Sequence, residues 1–494
     1  MKKNDFDFSI PNRQSYVAIL MILFKSINMV VRQIFPILIV FFVGGAKNKG
    51  DYIIWFVIAV TCLTMIYSII NFFRTYFVIQ NQELILHTGV LSRKKLSIPF
   101  ERIQTVNFEQ NIIHQFFSVL RLKLDTAGSE KNEFEFHALE VEKAYALRDL
   151  IMEDKKSIKT SDNSANIATE KQTFTPILTL SQTEILKVGL TENHIRSGGI
   201  IFLFFFWIYQ NLQEVGVDMD EYSQDLPEIQ MGLIVIILLL TFFLLVSVII
   251  SLIRTLISHY GLSFLRSNTG FKVVSGLFTK KEISAFDHKI QHISWSDNLL
   301  KRLIGFKDLS LNQASSNEIT LKQNIRIPGC KERHIKLVTN TLFGNTDLEN
   351  ITLEKIDIRY FVRSAVILTI IYLTICAGLL IFSQEENIAY ITLIWLYFIG
   401  TRYLIYHKKA FGITDELLYI KGGIFGDKAE LLPMYKIQAL EIHQSPYQTR
   451  HALSSITIYT ASGKLKIPYI SLTLSQKFCD ILMYKAESDK RKWM

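Results

Sequence analysis

Residues 101–106 read ERIQTV, and the core of that stretch is written twice more: KIQHIS starts at Lys289 and KIQALE at Lys436. The flanks keep step with it. Gln104, Gln291 and Gln438 each follow a glycine by fifteen positions (Gly89, Gly276, Gly423) and precede an alanine by twenty-three (Ala127, Ala314, Ala461). An apolar pair follows each glycine, as Val90-Leu91, Leu277-Phe278 and Ile424-Phe425, and a lysine stands five after it, as Lys94, Lys281 and Lys428. Leu122/Leu124, Leu309/Leu311 and Ile456/Ile458 hold matching places before each alanine. Offsets kept over about forty residues without a gap define an internal repeat.

A chain of 494 residues is too long for one core and suits roughly three domains. Hydrophobic residues make up 49% and phenylalanine alone numbers 35, an apolar excess for a soluble protein. The net charge of +9 is too mild to indicate nucleic acid. The cysteines Cys62, Cys330, Cys376 and Cys479 show no metal spacing and no disulfide framework. The N-terminal stretch lacks a signal-peptide layout.

The apolar runs decide the class. Residues 231–253 run for 23 positions without a charge, enough to cross a hydrocarbon core of ~30 Å. Residues 364–382 give 19 more, and 387–401 continue after a short break. Residues 52–73 and 197–212 are similar, with Trp55 as an interfacial anchor, and 32–45 form a short first span behind an amphipathic lead-in at 16–31. The alternative, buried helices of a large soluble protein, fits poorly with uncharged runs of this length. The expectation is six spans in three hairpins, each followed by a soluble module. The boundaries are 16–73 for the lead-in and first hairpin, 74–151 for the first module and 152–177 for a polar linker. The second hairpin takes 178–258 and its module 259–343; the third takes 351–406 and 407–487.

Loop charge sets the orientation. No lysine or arginine occurs from 197 to 253, and the loop inside carries Glu214, Asp218, Asp220, Glu221, Asp225 and Glu228. The third hairpin's loop, SQEEN, is also free of basic residues, while Arg254, Arg402, Lys408 and Lys409 flank the other side. The modules and both termini are therefore expected in the cytoplasm, although Lys47 and Lys49 in the first hairpin's loop disagree.

Within the modules, LRLKLDTA and SITIYTA alternate as half-buried strands. ELILHTG and LLYIKGG read as short strands ending at a glycine turn, and Pro99 and Pro433 favour an edge or a strand start. Ala144, Leu147, Leu150 and Ile151 share a helical face, as do Leu474, Phe478, Ile481 and Leu482. Each module thus reads as a small antiparallel sheet closed by a C-terminal helix. In the repeat triplet, Ile103, Ile290 and Ile437 are expected to face the core. The basic residue (Arg102, Lys289, Lys436) and the glutamine are expected to face outward. The alternative for the triplet is a ligand or headgroup contact. The basic turns, Arg93, Lys94 and Lys95, then Lys280 and Lys281, then Lys428, are the candidates for contact with lipid or a partner. His288 and His292 have helical metal-binding spacing but fall in an expected strand. No zinc-protease, nucleophile-elbow or P-loop motif occurs.

The run GVLSRKKLSIPFERIQTV followed by LRLKLDTAGSE resembles the bacterial pleckstrin-homology-like (PH-like) domain. Three copies, each behind a hairpin, resemble the YdbT-type family of multi-pass membrane proteins across nearly the whole chain. The second copy departs with Phe286 in place of the proline, and the third has Asp427 where the first has Arg93. The resemblance implies the fold, an α-helical membrane part with three α+β PH-like domains, and the topology, but supplies no reaction. Some members of that family are associated with resistance to membrane-active bacteriocins. The expectation is a non-enzymatic scaffold in a bacterial plasma membrane, without cofactor, metal or nucleic acid. Its partners would be membrane lipids and either itself or a shorter membrane protein of the same family. The alternative is a lipid-handling protein or transporter, against which the hairpins' content of mere hydroxyls (Thr241, Ser247, Thr369, Thr374) speaks.

Overall fold

The computed structural model describes residues 6–24, 50–90, 92–126, 134–159, 174–192, 233–314, 324–344, 351–382 and 385–489, with isolated positions between 194 and 207 and at 491. The expected first span at 32–45, the acidic loop, most of the run 197–212, much of the polar linker and Ala127 lie outside them.

The elements repeat in one order. The first module holds α1 (Gly50–Arg74), β1 (Tyr76–Gln80), β2 (Glu83–Thr88), β3 (Lys94–Pro99), β4 (Ile103–Gln110), α2 (Ile112–Phe116), β5 (Val119–Thr126), β6 (Phe134–Glu140) and α3 (Val141–Lys159). The second holds β7 (Thr175–Thr179), α4 (Gln182–Leu190), α5 (Leu233–His259), β8 (Ser263–Ser267), β9 (Gly270–Ser275) and β10 (Lys280–Phe286). It continues with β11 (Ile290–Ser296), α6 (Leu299–Leu303), β12 (Lys307–Gln313), β13 (Asn324–Cys330) and α7 (Glu332–Phe343). The third holds β14 (Glu354–Lys355), α8 (Arg359–Ile381), α9 (Ile388–Lys408), β15 (Ala410–Ile413), β16 (Leu417–Gly422) and β17 (Lys428–Pro433). It ends with β18 (Ile437–His443), α10 (Pro446–Arg450), β19 (Leu453–Thr460), β20 (Gly463–Ser471) and α11 (Leu472–Ser488).

Among the described residues, three helices are long and apolar enough to cross a membrane: residues 241–259 of α5, α8 and α9. The residues 59–74 of α1 form a shorter apolar helix. The expected count of six is not reached among the described residues.

The chain divides into two compact units. The first comprises Met1–Thr173, Ser181–Ser263 and Val274–Ser284. Here β1–β2–β3 form one antiparallel sheet and β4–β5–β6 another. Phe77, Leu84 and Ile98 from one sheet, Phe108, Leu122, Leu124 and Phe136 from the other, and Ala144, Leu147 and Ile151 of α3 share a single core. Phe8 joins it, because residues near Asn12 pair back onto β1 through an Asn12–Phe77 bridge. In the same unit α4 packs on α5, where a side chain at Gly189 would meet Leu252 at 2.8 Å.

The second unit comprises Phe174–Leu180, Phe264–Val273 and Ala285–Met494. Its large sheet runs β13–β12–β11–β17–β16–β15–β14, and a second sheet runs β18–β19–β20. Phe411, Leu418, Leu432, Ile456, Ile458, Ile467, Phe478 and Leu482 form the third module's core. The face that α11 buries is Ser475, Phe478, Cys479 and Leu482; Ile481, expected inside, is 43% exposed.

The repeat glycines earn their place by geometry. Gly89, Gly276 and Gly423 have φ of 109°, 111° and 128°, where L side chains are strained. An added Cβ would stand 2.0 to 2.2 Å from the carbonyl oxygen three residues on. Pro99 ends β3, an edge strand, and Pro433 ends β17; neither starts a strand. Their φ of −61° and −64° suits the entry to the 3-10 turn that follows.

Candidate functional site

Each repeat triplet closes that 3-10 turn and opens the second sheet. Ile103 and Ile290 are buried to 1% exposure, as a strand-leading core residue should be. The pairing register then skips one residue in all three modules: between Ile103 and Thr105, between Ile290 and His292, and between Ile437 and Ala439. The skipped residue is the glutamine. Gln104, Gln291 and Gln438 are therefore the bulge residues that bend this strand, a fixed feature of the fold. Seven positions on, Asn111, Asn298 and Ser445 each cap the five-residue helix by accepting an N–H bond.

The outward orientation expected for the rest of the triplet holds for Gln438, which is exposed, but fails at Gln291 and Lys436. Gln291 is 0% exposed and Lys436 1% exposed. The cause is a seam between modules. Strand β17 of the third module pairs antiparallel with β11 of the second, Lys428 opposite Ser296, Ala429 opposite Trp295, Glu430 opposite Ser294 and Leu431 opposite Ile293. Lys436 crosses that seam and donates to the carbonyl oxygens of His288, at 2.9 Å, and Ile290. Burial, only partly offset by Asp287, pulls its pKa down to about 8. Arg102 remains exposed and Lys289 is half-buried.

The departure at Asp427 belongs to the same seam. Asp297 N donates to Asp427 O at 2.9 Å, and Asp427 N donates to Asp297 Oδ1 at 2.7 Å. Arg302 bridges both carboxylates, at 3.1 and 2.7 Å, and Lys408 reaches Asp427 at 3.1 Å. Burial opposes its charge, but Lys408 and Arg302 outweigh that and hold the Asp427 carboxyl below the usual range.

In the first unit, the start of β10 pairs with β4: Lys280 opposite Gln110, Lys281 opposite Glu109, Glu282 opposite Phe108. Glu282 is 8% exposed. It accepts from Tyr145 Oη at 3.3 Å and from Arg148 at 3.4 Å. Burial and this carboxylate push the Tyr145 hydroxyl up to about 12. Sequence reading missed Tyr145, Arg148 and Glu282, since nothing within one module marks them.

The basic turns lie where α1, α5 and α9 end. Arg74, last in α1, donates to Val90 O at 2.7 Å. Leu277 N donates to Ile257 O at 2.9 Å and Gly276 N to Tyr260 O at 2.9 Å, tying the second turn to the end of α5. Lys408, last in α9, donates to Phe425 O and Gly426 O. The apolar pairs of the second and third turns are open, with Leu277 at 41%, Phe278 at 47%, Ile424 at 41% and Phe425 at 44% exposure. Phe425 stacks on Tyr397, well inside α9, with ring centroids 6.4 Å apart. Arg93, Lys94 and Lys95 are exposed, as are Lys280, Lys281 and Lys428. Lys428 donates to Glu430 at 2.6 Å.

A polar cleft of about 290 Å³ opens on the second unit's seam, lined in part by His292, Asn312, Lys428, Glu430 and Lys464. Its groups serve one another: His292 bonds Ser462 at 2.9 Å and Asn312 donates to Ser294 at 3.1 Å. His288, by contrast, is exposed and stacks on Phe286, so the two histidines do not converge. No cluster of three metal-ligating side chains occurs among the described residues.

The family model described as the bacterial PH domain matches residues 34–155, 212–345 and 362–486. The chain belongs to this family. Each match covers one module with membrane-side sequence before it. The transmembrane protein YdbT of Bacillus subtilis is 22% identical over 478 residues, covering 92% of this chain and 94% of that protein. This is accordingly a YdbT-like membrane protein with three bacterial PH domains, a constitution that points to a non-catalytic role. A structure of the DNA polymerase β subunit of Streptococcus pyogenes covers 80% of this chain and 72% of its own at a TM-score of 0.06 and 8% identity, too slight a likeness to inform the fold.

Proposed function

We propose that this protein is a non-enzymatic membrane scaffold whose PH-like modules bind protein partners by strand edges and touch anionic lipid with their basic turns. The observation that carries it is the strand pairing that joins module to module, a mode of recognition built on backbone bonds. The lipid contact is supported by the turns' hold on the ends of the spans. Apolar pairs beside cations at that level suit the headgroup boundary. The partners are membrane lipids and PH-like membrane proteins, itself or a shorter relative; a part in resistance to membrane-active peptides fits a scaffold at that surface. The hydroxyls in the spans speak for helix packing rather than transport. Thr369 accepts from Trp395 at 3.3 Å, Tyr372 bonds Thr392 at 3.0 Å, and Ser247 donates to His194 O at 2.7 Å.

The test is purification from gently solubilised membranes with identification of co-purifying proteins and lipids. Replacing Arg93, Lys94 and Lys95 with Gln should remove up to about 3 kcal/mol of attraction to anionic lipid. Anionic lipid should then be depleted from the preparation while proteins stay. Raised salt should act in the same direction, since exposed charges are screened over about 8–10 Å. Unchanged lipid in both would leave the turn a solvated loop.

The acidic second loop supports placement of the modules in the cytoplasm beneath a plasma membrane. A cysteine at Asp220 should label from outside intact cells and one at Ser164 should not; labelling at 164 would reverse the orientation.

A further inference from the structure

Two module edges use the seam strands without a seam. β3 is the first module's counterpart of β10 and β17, and among the described residues its outer edge pairs with no strand. β18 is the third module's counterpart of β4 and β11, and it too is the last strand of its sheet.

The two existing seams share one register. Counting from the repeat glycine and glutamine, the fifth residue after Gly faces the fifth after Gln, as Lys281–Glu109 and Lys428–Ser296. The sixth faces the fourth, as Glu282–Phe108 and Ala429–Trp295. One pairing operation has thus been applied twice within the chain. We propose that it is applied again between chains, β3 of one copy adding to β18 of a second copy, with Lys94 opposite His443, Lys95 opposite Ile442 and Leu96 opposite Glu441. Arg102 then takes the place of Lys436 and donates to the carbonyls of Tyr435 and Ile437 in the other copy. This rests on the scaffold reading and names its partner.

The edges are fit for it. Leu96 is 37% and Ile442 40% exposed, while Phe108, at the repeat position of Ile442, is buried to 5% in its seam. β18 is set up as β4 is: Gln110 donates to Val119 O at 2.8 Å, and Gln444 to Leu453 O at 2.7 Å. The lysines that open β3 would ordinarily guard an edge, but β10 opens with Lys280 and Lys281 and pairs nonetheless. Lys94 comes diagonal to Glu441 across the new seam, within reach of an ion pair. Because the two edges differ, the contact is head-to-tail, and repetition closes a ring or extends a row.

The test uses full-length protein with Cys62, Cys330, Cys376 and Cys479 replaced. One tagged population carries Lys95→Cys and a second carries Ile442→Cys; they are reconstituted together in phosphatidylcholine vesicles and oxidised. Antiparallel partners lie within disulfide reach. A covalent heterodimer is expected in the mixture and in neither population alone. It should be lost when Glu441→Cys replaces Ile442→Cys, because a one-residue slip turns the side chain to the other face. Crosslinking within either single population, crosslinking inside one chain that carries both substitutions, or no crosslink would overturn the proposal. Absence of the crosslink with other proteins still co-purifying would leave the scaffold reading standing and remove only the second copy. Absence of both would remove the two together.

Discussion

Replacing Gly426 with Ala is expected to part the third module from the second, at a cost of roughly 1–3 kcal/mol. A Cβ there would stand 1.9 Å from the carbonyl oxygen of Asp297 and 2.6 Å from its carbon. Both are backbone atoms, and the paired Asp297–Asp427 bonds leave them no room to yield. The measurement is hydrogen exchange over β17 in full-length protein in nanodiscs. Opening by that amount speeds exchange by about 5-fold to about 160-fold. Ser92 holds the same repeat position in the first module, at the exposed edge. Ser92→Ala should therefore stay within about 0.5 kcal/mol of wild type. Equal effects at the two positions would mean that the glycine serves its own turn and not the seam.

The second large effect concerns Lys436 and pH. Its folded pKa of about 8 lies below the ordinary lysine value, so between pH 8 and 10.5 the opened seam binds more protons than the closed one. Stability of the closed seam must then rise with pH through that window, and the penalty is fully present below it. The integrated gain is at most roughly 3 kcal/mol. In Lys436→Met the part of the slope that Lys436 contributes should vanish, because that side chain no longer exchanges a proton on opening. Comparing the two proteins at each pH cancels the intrinsic pH dependence of exchange. Parallel profiles would show that Lys436 gains its charge freely in the folded protein.

The repeat, the glycine turns and the closing helices were legible because they are local. Fixed offsets and periodicity carry them, and Ala144, Leu147 and Ile151 indeed fill one core. What the sequence hid is what one module does to the next. An alternating pattern assigns Lys436 and Gln291 to solvent because it treats the strand's edge as free. Once β17 lies beside β11, that surface is interior, and a lysine can enter only by donating hydrogen bonds to backbone carbonyls of the neighbouring module. The same blindness concealed Glu282, whose partners Tyr145 and Arg148 stand more than 130 residues away. Asp427 stands where the first module's turn has Arg93. It is the residue that lets Arg302 and Lys408 fasten the turn to its neighbour. Ile481 was misplaced for a simpler reason: Cys479 is as apolar as the pattern required and lies on the better side of the helix.

The short strands ahead of the helices have a consequence for how the protein is made. Asn12 bridges to Phe77, β7 adjoins β8, and β14 pairs with β15, so each module's first sheet holds a piece of chain synthesised before its apolar helices and a piece synthesised after. A membrane hairpin that stalled halfway would leave the sheet without one of its border strands, with raw backbone showing. Completion of each such sheet thus waits on the placement of the apolar helices that its strands bracket. A failed insertion would announce itself as an unfinished sheet edge open to quality control.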